Sequence, residues 1–284
     1  MLIMIYRNLK LYFRDRTRVF FSLLSVIIVF ALYIFFLGDN MIQNLNNVVG
    51  AKFLMDSWIM AGILAITGVS TTLGVLGVMV EDKAEKISKD FLTTPIKRSH
   101  LAGGYILSAF LIGVIMSLFT FFLAEIYIVS RGGQILSVIN IFKVMGIILL
   151  SVASSSSMTF FLVSLMKSMH AYSAVSTIVG TGIGFLTGIY IPIGSLSSTI
   201  QFLIKIFPVS YSGSLFRKVM MEQAISQTFT SAPAGAADSF KSEMGVVYQF
   251  GNTVISTQAS ILILLVTTVL FYGFVVFRLS KQKD

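Results

Sequence analysis

Six stretches of the chain are almost continuously apolar, and each is long enough to be read as a helix crossing roughly 30 Å of hydrocarbon, which takes about 20 residues. They run approximately over residues 19–37, 57–80, 101–130, 144–166, 171–193 and 254–277. The third is overlong, so it either tilts or begins in the interface near Gly103 and Gly104. A seventh run, residues 200–207, contains Lys205 and stops at Pro208. It is too short to span and predicts a re-entrant or interfacial segment. Between the second and third runs lies the one dense charge block, EDKAEKISKDFLTTPIKRSH, residues 81–100. Ala84, Ile87, Phe91 and Leu92 fall on one side of a helix there, with Glu81, Lys83, Glu85, Lys86 and Lys89 elsewhere. Pro95 discourages helix at Thr94. The pattern predicts a short helix that docks on a partner protein. Upstream of the first run, Arg7, Lys10, Arg14 and Arg18 share a helical face, while Ile5, Leu9, Tyr12 and Phe13 lie largely on others. That fits a helix lying in the interface, or a plain basic flank. The only long polar stretch, 211–252, includes SAPAGAADS at 231–239, which has the small, flexible character of a loop.

Composition narrows the class. Of 284 residues, 56% are hydrophobic and 12% charged, and the mean hydropathy is +0.89. A soluble domain carries about a quarter charged residues, so this is a multi-spanning membrane chain. The net charge of +9 sits beside apolar spans, which points to an anionic inner leaflet and away from nucleic acid. With the N-terminus inside and six spans, fourteen Lys and Arg fall on the inner side and seven on the outer. This asymmetry predicts both termini in the cytoplasm. The first run follows a long basic lead-in, exceeds a signal core and has no A-x-A site after it, so it reads as a retained signal anchor. There is no cysteine, hence no disulfide and no thiolate metal site.

Catalytic and nucleotide signatures are lacking. No G-x-x-x-x-G-K-[ST] P-loop and no H-E-x-x-H occurs, and His100 and His170 read as interfacial polar residues. The expectation is no catalytic, cofactor or metal site in this chain. Glu125 is the clearest ionisable residue inside an apolar run; it marks either a translocation path or the outer headgroup level before Arg131. Ser151, Ser154 and Ser155, in a hydroxyl-rich fourth span, either line a polar path or hold helices together. Gly180, Gly184 and Gly188 form two consecutive G-x-x-x-G units, which predict a close helix contact within or between subunits.

Three stretches carry a resemblance to the membrane subunit of type-2 ATP-binding cassette exporters, the drug- and bacteriocin-export branch. RNLKLYFRDRTRVFFSLL, residues 7–24, resembles that family's basic elbow helix entering the first span. EDKAEKISKDFLTTPIKRSHLAGGYILS, residues 81–108, resembles its cytoplasmic loop, and FPVSYSGSLFRKVM, residues 207–220, the stretch after its re-entrant outer hairpin. The family loop often has a Gly near the middle of its charged helix; residues 84–89 have none.

The resemblance implies an all-α membrane protein: one transmembrane domain over 1–284 with six transmembrane helices. It would have an N-terminal interfacial elbow helix over 1–18, a cytoplasmic coupling helix in the 81–100 loop between spans two and three, and a re-entrant outer hairpin within an outer region, 194–252, before the last span. It further implies a plasma-membrane permease, paired with a second copy or a paralogue. Separate cytoplasmic ATP-binding cassette ATPase subunits holding ATP and Mg2+ would power the outward movement of a hydrophobic or amphipathic cargo. Glu81, Ala84, Glu85, Lys86, Ile87, Phe91, Leu92 and Pro95 would then form the ATPase-coupling element. Two rivals remain: an ion- or proton-coupled carrier working alone, which needs paired intramembrane charges, and a non-transporting membrane anchor or immunity protein.

Overall fold

A helix that is apolar on every side belongs in the middle of a bundle, and here that helix is Ala51–Ala84. In the computed structural model, which describes residues 1–38, 42, 50–93, 98–230, 232–251 and 253–281, its most apolar window is 89% buried. The corresponding window of the last helix is only 22% buried. In chain order, α1 is Leu2–Arg14, α2 Arg16–Ser22 and α3 Leu24–Leu32, which runs on as a π-helical turn, Tyr33–Leu37. The central helix Ala51–Ala84 is α4. Then come α5 (Ile87–Leu92), α6 (Arg98–Ser130), α7 (Val138–Ser164) and α8 (Met169–Leu186). The remainder is α9 (Ser198–Ile206), α10 (Pro208–Met220), α11 (Glu222–Thr228), α12 (Ala236–Glu243), a hairpin of β1 (Gln249–Phe250) and β2 (Thr253–Val254), and α13 (Thr257–Lys281). The hairpin strands pair antiparallel, Gln249 opposite Val254.

The fold is almost wholly helical. Among the described residues four helices are long and apolar enough to cross a membrane: α4, α6, α7 and α13. The pair α2–α3, bent by 48°, makes a fifth if counted as one broken span. The expected first span is therefore not one straight helix. The expected fifth, 171–193, is the shorter α8, whose many Ser, Thr and Gly residues dilute its apolarity.

Around α4 pack α6, α7, α8, α10 and the α2–α3 arm, while α13 lies on α7. The end of the bundle holding α1, α5 and the last turn of α13 is called proximal here, and the end holding α9–α12 distal. The outward faces of α6, α7 and α13 are strips of exposed Leu, Ile, Val and Phe, as lipid contact requires. On α1, Met4, Asn8 and Tyr12 recur every four residues and turn inward, mainly onto α6, while Leu2, Ile3 and Tyr6 stay exposed.

The distal region is more ordered than its composition suggested. Pro208 opens α10 at its first turn, where a missing N–H costs nothing, and separates it from α9 as a helical hairpin. Residues 236–239 of the small-residue stretch form the start of α12. Ser231 lies outside the described residues.

Both ends of α4 carry a buried aspartate clamped by one arginine and one tyrosine. Distally, Asp56 accepts from Tyr33 Oη at 2.7 Å and Arg131 Nε at 3.2 Å. Proximally, Asp82 accepts from Arg7 at 2.7 and 2.8 Å and from Tyr105 Oη at 2.5 Å. At 1.5 Å per residue the two carboxylates stand about 39 Å apart along the axis, more than the roughly 30 Å of hydrocarbon. Both clamps thus reach the levels where charge is tolerated.

Candidate functional site

The proximal charge block does not form one helix. The last residues of α4, Glu81 to Ala84, continue the central helix; the chain then turns at Glu85 and Lys86 before α5. Lys86 has φ +64°, in the left-handed region that favours glycine. The predicted single amphipathic helix over 81–92 is thereby corrected to a helix end, a break and a six-residue helix.

Ala84, Glu85 and Lys86 are exposed and Ile87 is half-buried. Phe91 is half-buried too, but it packs inward, with the Arg7 guanidinium 5.4 Å above its ring. Pro95 and the side chain of Leu92 lie outside the described residues. Arg7 therefore joins three elements, since it clamps Asp82 of α4 and covers Phe91 of α5 from its own place on α1. Its hydrogen bond to Asp82 is the foremost cause that raises it above the ordinary guanidinium range. Asn8 Nδ2 donates to Ser108 Oγ of α6 at 3.0 Å, so the frame extends to a fourth helix.

Beside this frame opens a groove of about 630 Å³, walled by α2–α3, α4 and α8. Its proximal mouth is charged. Arg18 bonds Glu81 at 2.9 Å and approaches Asp15 at 3.5 Å. Asp15 caps α2 by accepting the Arg18 backbone N–H, which is the foremost cause holding it below the usual carboxylate range. Further in, the lining alternates Phe21, Ile28 and Leu73 with hydroxyls. Ser173, Thr177 and Thr181 recur every four residues along the exposed face of α8. Thr177 and Thr181 donate back to the carbonyls of Ser173 and Thr177, which satisfies their hydroxyls while leaving oxygen lone pairs toward the groove. Tyr190 closes the distal end.

Two glycines of α4 set the width of this groove. A Cβ on Gly74 would stand 2.8 Å from the Ser22 Cβ, and one on Gly77 would stand 2.6 Å from the Tyr172 hydroxyl. Without side chains there, α2 and α8 approach closely and Tyr172 Oη donates to the Leu73 carbonyl at 3.0 Å.

The other sequence candidates fall in different places. Ser151 and Ser155 of α7 face Gly68 of α4, and Thr159 Oγ1 donates to Thr72 Oγ1 at 3.1 Å, so this hydroxyl row is an internal helix contact away from the groove. Ser154 is buried and does not line the groove either. Glu125 lies near the distal end of α6, where Oε2 accepts the Leu136 backbone N–H at 3.1 Å and caps the turn into α7. The three spaced glycines part company as well. Gly180 faces Ser25 of α3, Gly184 receives the Tyr190 ring, and Gly188 lies past the end of α8 with φ +62°. Sequence reading missed the groove because its lining comes from three separate segments. The recurring hydroxyls of α8 were the one local signal.

A model of the ABC-2 type transporter family matches residues 1–221. No curated protein matches the chain.

Proposed function

The chain belongs to the ABC-2 type transporter family and is a membrane permease component, and from that premise we propose that it is the permease subunit of an ATP-driven exporter of the drug- or peptide-moving kind. In this reading α2–α3, α4, α6, α7, α8 and α13 are six spans. At 18 residues α8 is about 27 Å long, close to the hydrocarbon thickness. The proximal end is cytoplasmic, both termini lie there, the membrane is the cell membrane, and α9–α10 is the re-entrant outer hairpin. A second copy or a paralogue completes the unit, and separate ATPase subunits supply the ATP and Mg2+ chemistry.

One observation carries the reading. The exposed break and helix α5 hang from the same helix, α4, that forms the floor of the groove. A push on α5 bears on α4 directly and, through Arg7, on α1. The groove's mixture of apolar and hydroxyl surface suits an amphipathic or hydrophobic cargo, released outward when the α4 wall and the α8 wall shift as rigid bodies. A self-powered carrier has no comparable support, since Glu125 caps a turn and does not face the groove.

The test is Ile87→Asp. Ile87 is half-buried, so the fold survives, but a carboxylate placed in an apolar docking contact is left unpaired. Co-purification of the ATPase and ATP-dependent transport in vesicles are both expected to fall to background while the melting midpoint holds. Wild-type ATPase recovery and transport would overturn the docking role. Phe91→Asp is the poorer probe, because it also removes the ring beneath Arg7.

A further inference from the structure

At the proximal end, away from the groove, α4, the turn after α7 and the end of α13 border an open hollow of about 290 Å³, lined by Lys83, Ser164, Leu165, Met166, Lys167 and Arg278. Three of its six lining residues are cations and none is acidic. Lys83 and Arg278 are half-buried and stand close enough to repel one another. No described acidic side chain forms an ion pair with any of the three. Each of the three lies at a helix C-terminus, which attracts cations: Lys83 at the end of α4, Lys167 just past α7 and Arg278 near the end of α13. The fold brings these three termini, and so three cations, to one hollow. A hollow of this size is ample for a hydrated phosphate.

What lies beside the cavity selects among anions. Leu165 on its rim is exposed, and the neighbouring α7–α13 seam is aromatic, with the Phe161 ring 5.3 Å from Phe271 and 6.3 Å from Phe274. Phe274 is itself exposed on the lipid-facing strip of α13. Cations at the level of the headgroups, above an apolar strip that accepts acyl chains, are arranged for a lipid. A free ion would have no use for the strip. We propose that this cavity binds the phosphate headgroup of an anionic lipid, with Lys83, Lys167 and Arg278 as its cationic contacts.

The experiment uses the full chain in nanodiscs of phosphatidylcholine with or without phosphatidylglycerol. Lipids retained on the released protein are counted by native mass spectrometry, and inorganic phosphate is the competing free anion. Wild type is expected to retain phosphatidylglycerol over phosphatidylcholine. Lys83→Gln, Lys167→Gln and Arg278→Gln should each weaken that retention about fivefold, the factor for one Lys or Arg at an anionic surface. The triple variant should lose the preference. Lys143→Gln, at the distal end, should keep it. If Lys83→Gln fails to fold, Lys83→Arg serves in its place and is expected to bind as wild type.

Equal retention of the two lipids by wild type overturns the proposal. So does a triple variant that keeps phosphatidylglycerol, which would leave the cluster for an acidic partner protein. Displacement of phosphatidylglycerol by an equal concentration of inorganic phosphate overturns the lipid assignment in favour of a free anion. No ATPase and no transport enter the measurement, so it stands or falls separately from the exporter reading.

Discussion

Stripping Arg7 of its charge strands a carboxylate in the protein interior. Asp82 is only 2% exposed and is held by two guanidinium N–H groups at 2.7 and 2.8 Å and by the Tyr105 hydroxyl. Arg7→Leu keeps an apolar stem but removes both charge-assisted bonds, and one tyrosine cannot replace them. Breaking a buried pair from one side costs about 3–5 kcal/mol. The Arg7 side chain retains 27% exposure, so water can follow into the vacated space, and the lower end, about 3 kcal/mol, is expected. Asp82→Asn removes the charge but keeps an acceptor for Tyr105, which places it at about 1–2 kcal/mol. In the double variant no charge is stranded. Its cost should fall about 2 kcal/mol short of the sum of the singles, the size of coupling seen between directly bonded residues. Chemical denaturation of the purified protein in detergent, followed by circular dichroism, measures all three. A cycle additive to within about 0.5 kcal/mol would refute the stranded-charge reasoning.

Two further outcomes test the backbone and the distal core. Lys86→Gly should stabilise by about 0.5–1 kcal/mol in the same assay, because the left-handed backbone at φ +64° suits glycine and penalises a Cβ; a loss of stability would show that the lysine side chain itself holds the turn. Arg217 is buried over the Trp58 ring at 4.6 Å, donates to the Gly188 carbonyl at 2.8 Å, and has an Nε without a partner among the described residues. Its cation–π contact, about 2 kcal/mol, and its charged hydrogen bond, about 1.5–3 kcal/mol, oppose a desolvation cost of several kcal/mol. Arg217→Met should therefore stay within about 1 kcal/mol of wild type, whereas Arg217→Lys, which keeps the buried charge without the planar fork, should be the worse of the two. Fluorescence of Trp58, the chain's single tryptophan, follows both, and the reverse order would refute the account.

Hydropathy revealed the long helices because lipid imposes a length and a composition on whatever crosses it. The same rule overstated α8, read as a span over 171–193 but a helix only over Met169–Leu186, because a helix that faces a groove carries Ser173, Thr177 and Thr181 where a lipid-facing one would carry leucine. The charge block at 81–100 was legible as a break between two apolar helices. The turn inside it was not, because nothing in the identity of Lys86 announces a positive φ. Gly184 and Gly188 matched a helix-contact spacing, yet the chain stops being helical at Leu186, and Gly188 serves a turn instead. The hydroxyls of α7 and of α8 look alike in sequence. Only the fold shows that Ser151 and Ser155 are turned onto Gly68 while those of α8 are turned outward. The buried aspartates were the largest omission. Asp56 and Asp82 sit at the edges of an apolar run, where charge is ordinary, and their partners Tyr33, Arg131, Arg7 and Tyr105 come from three other segments.

Those two aspartates also bear on which wall of the groove would move in an exporter. Asp56 ties α4 to the distal end of the first span and to the residue following α6, and Asp82 ties it to α1 and to the proximal end of α6. The central helix is thus fixed at both ends, distally to the first span and to the residue after α6, proximally to α1 and α6. Helix α8 has no such tie to α4 among the described residues. Arg18–Glu81 is the only described ion pair that joins α2 to α4, and it is solvent-accessible, so it contributes at most about 1 kcal/mol. Helix α8 meets α4 at Gly77, through the Tyr172 hydrogen bond, and through Val175, Val179 and Ile183 in the shared apolar core. In the exporter reading, a force arriving at α5 would therefore meet α4, α1, α6 and the first span joined by buried carboxylate clamps, with α8 the groove wall that has none.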